Sequence, residues 1–163
     1  MRVIEALSAP TFQHAVLLYP IATALHVYDE WPEFPRWARR FASPAYSDRE
    51  YVRTHAATVL LAIAGAVLLW AAASPWLVFL FFAFLFGPGV FCNALFHSAA
   101  SLRTRSHCPG VRSSVLLYLP LAGWLAWLAV RDRWLTPRQL LLALVIAALG
   151  HVAEVGHTVF KRW

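Results

Sequence analysis

The sequence predicts an all-α integral membrane protein in which five transmembrane helices form one bundle. Of its 163 residues, 60% are hydrophobic and only 13% are charged, whereas about 25% of the residues of a soluble domain are charged. The apolar residues lie in long runs, and about 20 apolar residues suffice to cross a bilayer as a helix. The predicted helices cover about residues 11–30, 50–73, 75–102, 112–130 and 137–161. Residues 1–163 are therefore predicted to form a single transmembrane domain.

The first apolar run, residues 6–28, lacks the basic start and the small-residue cleavage site of a secretory signal peptide. We therefore expect it to remain as the first helix. The following segment, residues 31–49, is rich in proline, tryptophan and arginine, a composition typical of a membrane–water interface. The later helix boundaries carry turn and capping signals, namely Ser74-Pro75, Pro109-Gly110, and Thr136 as a cap before Pro137.

The basic residues predict the orientation of the bundle. Ten lie on one side of the predicted topology and four on the other. Cytoplasmic loops carry the excess of lysine and arginine, so the side with ten is predicted to be cytoplasmic, with the N-terminus outside and the C-terminus inside. The ten are Arg36, Arg39, Arg40, Arg49, Arg53, Arg103, Arg105, Arg112, Lys161 and Arg162, and the four are Arg2, Arg131, Arg133 and Arg138.

The same distribution accounts for the net charge of +6, because basic residues flank the helices of most membrane proteins. No nucleic-acid partner is therefore expected. The expected partners are the lipid bilayer and a lipid-like small molecule. Cys92 and Cys108 do not have the spacing of a disulfide framework or of a zinc knuckle.

Polar residues that hydrocarbon excludes gather at one level, in the cytoplasmic half of the predicted bundle. A charge near a helix centre costs at least about 2.5 kcal/mol on insertion scales, so such groups normally face inward and mark a functional site. On the first and third helices they recur at the i+3 or i+4 spacing of one helix face. On the fifth helix they recur at i+3, which leaves the outer two about 120° apart, so not all three need face one point. They are His26, Asp29 and Glu30 on the first helix, His55 on the second, Asn93, His97 and Ser101 on the third, and His151, Glu154 and His157 on the fifth.

Imidazole and carboxylate groups are ligands of zinc and of non-haem iron. The predicted ligands of a divalent metal are His26, Asp29, Glu30, His97, His151, Glu154 and His157, with Glu30 and Glu154 as catalytic carboxylates and His55, Asn93 and Ser101 as additional members. The Glu154-x-x-His157 spacing is that of dinuclear iron bundles, and the candidates outnumber the ligands of one zinc ion. A dinuclear iron site that oxidises its substrate is therefore slightly favoured over a zinc site that hydrolyses it.

Gly87-Pro88-Gly89 is expected to break the third helix just before Asn93, and irregular backbone inside a membrane is tolerated where it lines a cavity. Together with the aromatic run over residues 79–91, this predicts an apolar pocket for a lipid or isoprenoid-like substrate. Arg36, Arg39 and Arg40 are candidates for binding an anionic headgroup.

The sequence thus favours a metal-dependent membrane enzyme and leaves two alternatives open. One is a metal-free isomerase or terpene-cyclase type of enzyme that uses Glu30 and Glu154 for acid–base catalysis. The other is a non-enzymatic carrier of haem or metal, held by histidine ligands.

The segment His26-Val27-Tyr28-Asp29-Glu30, within ALHVYDEWPEFPRWARR, resembles the motif of the HXXEE-domain family of small bacterial membrane proteins. Asp29 stands where that motif has its first glutamate, and a carboxylate is kept. NALFHSAASLRTR, residues 93–105, and LYLPL, residues 117–121, are also similar to that family. The resemblance implies a membrane-embedded helical fold, a location in the bacterial cytoplasmic membrane and an important His26/Glu30 pair, but no particular reaction.

Overall fold

The computed structural model describes the backbone of residues 10–160 and the side chains of residues 10–155. All regular structure in this part of the chain is helical, which confirms the all-α prediction. The helices are α1 (Phe12–Ala15), α2 (Leu18–Glu30), α3 (Glu33–Phe41), α4 (Asp48–Ala72), α5 (Pro75–Thr104), α6 (Val111–Arg131) and α7 (Pro137–Phe160).

Four helices in the described part of the chain are long and apolar enough to cross a membrane. They are α4, α5, α6 and the segment Pro137–Val155 of α7, with mean hydropathies of 2.0, 2.0, 1.7 and 1.6. Their outer faces are apolar as well: Leu60 of α4 is 67% exposed and Leu149 of α7 is 68% exposed. Such faces are suited to lipid rather than to water. Four of the predicted helices are therefore confirmed in length and character.

The prediction of a continuous first membrane helix over residues 11–30 is wrong, and so is the count of five. The helix is interrupted between α1 and α2, at Val16 and Leu17. Pro20 has no N–H to bond the carbonyl of Val16, and the N–H of Tyr19 binds that carbonyl instead, at 3.0 Å. The 13 residues of α2 extend about 20 Å, less than the roughly 30 Å of a hydrocarbon core.

The α1–α2 segment still runs along the full height of the bundle. At its start, the Phe12 N–H donates to Asp132 Oδ2 at 2.8 Å, between α6 and α7. At its end, Glu30 accepts a hydrogen bond from Tyr51 in the first turn of α4. The segment therefore connects the two ends of the bundle and brings Glu30 to the same end as the α5–α6 loop.

Helix α3 is amphipathic and lies over that end of the bundle. Pro35 and Ala38 are buried, whereas Arg36 and Arg40 are exposed. Arg39 donates to Asp48 Oδ1 at 2.7 Å and thereby ties α3 to the start of α4. The predicted cap of α7 is confirmed, because Thr136 Oγ1 accepts from the N–H of Gln139.

Helix α5 widens instead of breaking at Gly87-Pro88-Gly89. Residues Phe82–Cys92 form a π-helical segment within it, and its wider turns carry Pro88, which lacks an N–H, without ending the helix. A Cβ at Gly87 would lie 2.1 Å from Phe82 O and 2.6 Å from Ala147 Cβ, so only glycine allows α7 to pack this closely. The packing fixes α7 beside the part of α5 that leads into Asn93.

Candidate metal centre

The carboxylate of Glu30, the last residue of α2, lies at the centre of a cluster of buried polar side chains. Three histidine Nε2 atoms face it: His97 at 2.8 Å and His26 at 3.3 Å from Oε1, and His55 at 3.1 Å from Oε2. The Tyr51 hydroxyl donates to Oε2 at 2.8 Å. Glu30, His26 and His97 are 1%, 2% and 1% exposed, so water is excluded from these three side chains.

Helical spacing brings most of these groups together. His26 and Glu30 are one turn apart on α2, and Tyr51 and His55 are one turn apart on α4, so each pair shares a helix face. His97 comes from α5. The sequence pattern had indicated these histidines and Glu30, but nothing in it pointed to Tyr51.

The loop between α5 and α6 covers the cluster through Gly110. Its φ of +89° is in the left-handed region that favours glycine. A Cβ there would lie 2.7 Å from Glu30 Cγ and 3.0 Å from Cε1 of both His26 and His97. The backbone of Gly110 therefore rests directly on the three side chains.

The hydrogen bonds around His26 define which ring nitrogen carries the proton. Its Nδ1 lies 2.8 Å from Ser113 Oγ, and this hydroxyl also contacts Asp29 Oδ2 at 2.8 Å and Gly110 O at 3.0 Å. Both of these oxygens only accept, so the hydroxyl donates its single proton to them and accepts from the Nδ1–H of His26. A neutral His26 then has an Nε2 lone pair that accepts a hydrogen bond from the Asn93 amide NH2 at 2.9 Å and also faces Glu30.

His55 is held in the same way. Its Nδ1 lies 2.8 Å from the carbonyl oxygen of Tyr51, which only accepts. A neutral His55 therefore also turns an Nε2 lone pair towards the carboxylate. The lone pair of His55, and that of His26 beyond its bond from Asn93, repel the carboxylate unless a cation or additional protons lie between them.

His97 is backed by Cys108, whose Sγ lies 3.3 Å from its Nδ1. The backbone N–H of Cys108 donates to Ser101 Oγ at 3.0 Å, which fixes the loop. Burial, with a further contribution from the negative charge of Glu30, raises the pKa of the Cys108 thiol to about 12. The thiol therefore stays protonated at neutral pH and supports the histidine without acting as a thiolate.

This donor set fits a metal ion. His26, Glu30 and His97 each offer one ligand atom, and these atoms lie within 4.8 Å of one another. Metal-binding histidines usually donate their second ring N–H to a carbonyl, a carboxylate or another acceptor, as His26 and His55 do here through Ser113 and the Tyr51 carbonyl.

Other predicted site residues lie elsewhere. The carboxylate of Asp29 accepts from Ser113 rather than facing the three ligand atoms, and Ser101 supports Cys108. His151 and Glu154 lie on the wall of a cavity beside the cluster. The side chain of His157 is outside the described residues. Of the predicted headgroup-binding arginines, Arg39 is paired with Asp48, whereas Arg36 and Arg40 are exposed.

The cavity has a volume of about 360 Å³ and reaches the cluster at His26, Glu30, His55 and Asn93. This volume is within the range of small-molecule sites. Its apolar lining residues include Val27, Phe34, Leu61, Phe84, Leu85, Phe96 and Val155. Phe84 and Leu85 of the aromatic run in α5 line this cavity, as predicted, and polar residues outside the cluster, such as Thr54 and Thr58, line it as well.

A family model described as "Protein of unknown function with HXXEE motif" matches residues 17–125. This range covers two thirds of the chain and contains every residue of the cluster. The chain belongs to the HXXEE family. No curated protein and no solved structure matches it.

The histidine and the two carboxylates of the HXXEE motif make different contacts in the structure. Its histidine, His26, and its last carboxylate, Glu30, face each other within the cluster. Its first carboxylate, here Asp29, binds Ser113 and so orients His26 from behind. The family match ends at residue 125, so α7 with His151 and Glu154 lies beyond the HXXEE region.

Proposed function

We propose that this HXXEE protein is a membrane-embedded metalloenzyme that binds one divalent metal ion and acts on a lipid-like substrate in the adjoining cavity. His26, Glu30 and His97 are the proposed ligands, and His55 is a fourth group on the other oxygen of Glu30. The observation that carries the proposal is the arrangement of the imidazoles, whose Nε2 atoms face one carboxylate while Nδ1 of His26 and of His55 binds an acceptor.

One ion is proposed rather than two because Glu30 is the only carboxylate among the three ligand groups found in the described residues. Dinuclear carboxylate sites in helical bundles draw four carboxylates from their helices. Asp29 and Glu154, the other carboxylates predicted as ligands, are respectively bonded to Ser113 and placed on the cavity wall.

Two histidines and one carboxylate are a ligand set shared by zinc hydrolases and mononuclear iron oxygenases. A bound metal would supply either an activated water for hydrolysis or oxygen-dependent oxidation. The protein's own residues hold the ligands, keep bulk water from the cluster and provide Tyr51, whose hydroxyl is a proton donor at Glu30.

The helices and the cavity support the proposed substrate and location. The four apolar helices and the apolar cavity walls support a substrate that partitions into the bilayer. The proposed location is the bacterial cytoplasmic membrane. The excess of basic residues at that end of the bundle supports a metal centre on the cytoplasmic side. Because the α1–α2 segment begins at the opposite end, beside Asp132, the proposed orientation keeps the N-terminus outside and the C-terminus inside.

The test is the metal content of the detergent-solubilised protein after expression with zinc or with iron. The wild type is expected to bind about one ion per chain, and Glu30→Gln and His97→Ala are expected to lose it. His107→Ala is the matched control, because His107 is an exposed histidine of the same loop as Cys108. A folded wild type that binds neither metal would contradict the proposal.

A further inference from the structure

Asn93 contacts the same histidine nitrogen that the proposed metal centre requires. Its side-chain amide lies 2.9 Å from His26 Nε2, and the NH2 group is the half of the amide that can donate to this lone pair. A metal ion that His26 binds through Nε2 needs the same lone pair. The hydrogen bond from Asn93 is therefore lost when an ion binds, and the amide must make a different contact.

The position of Asn93 in α5 brings it to the proposed ligands and to the cavity at once. It directly follows the π-helical segment Phe82–Cys92, and such segments within α-helices are frequent at functional sites. It lies one turn before His97, so the two residues share a helix face. The Asn93 side chain is half-buried and lines the cavity. The amide therefore lies at the border between the cavity and the cluster.

The distances within the cluster are those between ligands of one ion. Two donor atoms bound to an ion at about 2.1 Å are about 3.0 Å apart in an octahedral arrangement and about 3.4 Å apart in a tetrahedral one. Glu30 Oε1 lies 2.8 Å from His97 Nε2 and 3.3 Å from His26 Nε2. The Asn93 amide, at 2.9 Å from His26 Nε2, is as close to its neighbour as the proposed ligands are to one another.

The charge of a bound ion determines which amide atom faces it. The hydrogens of the NH2 group carry partial positive charge and are repelled by a cation, whereas the carbonyl oxygen is attracted to it. A half-turn about the last side-chain bond exchanges the two atoms with almost no change in shape. An ion beside His26 therefore favours the orientation in which Asn93 presents Oδ1.

A fourth protein ligand also bears on which metal the site holds. Catalytic zinc sites have three protein ligands and one open position, so a fourth protein ligand closes a tetrahedral zinc site. An octahedral ion with four protein ligands keeps two open positions. Two histidines and one carboxylate with open positions are typical of ferrous iron, and carbonyl oxygens suit hard divalent ions.

We propose that Asn93 is a metal ligand, whose amide donates to His26 in the metal-free protein and turns Oδ1 to the ion in the metal-bound protein. The ion is then octahedral, with Fe2+ preferred over zinc as the catalytic metal. The inference rests on the proposed function, because it completes the ligand set of the same site and selects between its two chemistries.

The test is the affinity of the metal-free, solubilised full-length protein for Fe2+ without oxygen and for Zn2+, measured by competition with a chelator. Asn93→Leu removes both polar atoms at nearly the same volume. It should lower the affinity for Fe2+ at least about tenfold, and that for Zn2+ less, because zinc needs only three protein ligands. Asn93→Asp keeps the shape and replaces the amide by a carboxylate that only accepts, so it should bind Fe2+ at least as tightly as the wild type.

The control for added negative charge is Thr58→Asp, because Thr58 lines the same cavity from α4. Combined with Asn93→Leu, it should not restore the affinity for Fe2+. Thermal unfolding of each variant checks that it is folded, and the isosteric Asn93→Asp decides the question if Asn93→Leu does not fold.

The outcomes separate a ligand from a hydrogen-bond donor. If Asn93 only donates to His26, Asn93→Asp weakens Fe2+ binding, and this result overturns the assignment. Wild-type affinity in Asn93→Leu overturns it as well, and equal losses for Fe2+ and Zn2+ overturn the preference for an octahedral ion. In these cases the wild type still binds metal, whereas a wild type that binds neither ion contradicts the proposed metal centre itself, so the two failures are distinguishable.

Discussion

Substitution of Gly110 by alanine tests how tightly the α5–α6 loop closes over Glu30, His26 and His97, the proposed metal ligands. The new Cβ would lie 2.7 Å from Glu30 Cγ and 3.0 Å from Cε1 of His26 and of His97, so at least one of these side chains must move. The backbone φ of +89° adds strain for any residue with a Cβ. The strain costs about 1–2 kcal/mol, and overpacking a rigid site costs about 1–3 kcal/mol more.

The expected total is about 2–5 kcal/mol, which for a chain of this size lowers the melting temperature by roughly 4–20 °C. Thermal unfolding in detergent, with metal content measured in parallel, is the assay. Gly123→Ala is the matched control, because nothing lies within 4 Å of a Cβ at that helical position. It should be neutral or stabilising by up to about 1 kcal/mol. If Gly110→Ala melts like the control and binds metal like the wild type, the loop does not close the site.

Three further predictions concern the support of the site and of the bundle. Asp29→Asn weakens the acceptor that holds Ser113 and should lower metal affinity about 10- to 100-fold while the fold is kept, as measured by competition with a chelator. Cys108 should resist alkylation by N-ethylmaleimide at pH 8 until the protein unfolds, because it is buried and its pKa is raised to about 12, so that the reactive thiolate forms only at higher pH. Gly87→Ala forces α7 away from α5 and should destabilise the protein by at least about 2 kcal/mol in thermal unfolding.

Each of these predictions has a control. Glu33→Gln removes an exposed carboxylate near Asp29 and should leave metal affinity unchanged; equal effects of the two changes would exclude a specific role of Asp29. His107→Cys places an exposed thiol beside Cys108 and should react quickly, and rapid labelling of Cys108 itself in the folded protein would show that the loop opens. Gly150→Ala has no close neighbour, so a similar loss of stability there would argue against the contact at Gly87.

The sequence predicted the long helices well because an apolar run of about 20 residues is long enough to cross a bilayer and longer than most buried helices of soluble proteins. It failed on the first helix because composition does not show where a proline interrupts the helical hydrogen bonds. Pro20 has no N–H for the carbonyl oxygen of Val16, and the N–H of Tyr19 binds that oxygen instead. The Gly87-Pro88-Gly89 segment was expected to break α5, but the helix continues there in π form, which residue types alone do not reveal.

The candidate site was predictable where helical periodicity governs it. His26 and Glu30 share a face by spacing alone, and His97 lies at the same level of the bundle. Cys108 and Gly110 were missed because the α5–α6 loop brings them over the site, and Ser113 was missed because it lies in the first turn of α6, directly after that loop. No periodic pattern encodes how a loop folds back. The sequence also grouped His151 and Glu154 with the cluster because they lie at the same level of the bundle. Their position beside the cluster depends on the close packing of α7 on α5 at Gly87, which the sequence pattern does not show.

The central claim is that Glu30 and the histidines around it bind one metal ion. The most direct measurement is the metal content per chain of the folded wild type beside Glu30→Gln, after expression with zinc or iron. We predict about one ion per wild-type chain and a loss of nearly all of it in the variant. Equal metal content in the two proteins, or none in a well-folded wild type, would contradict the claim.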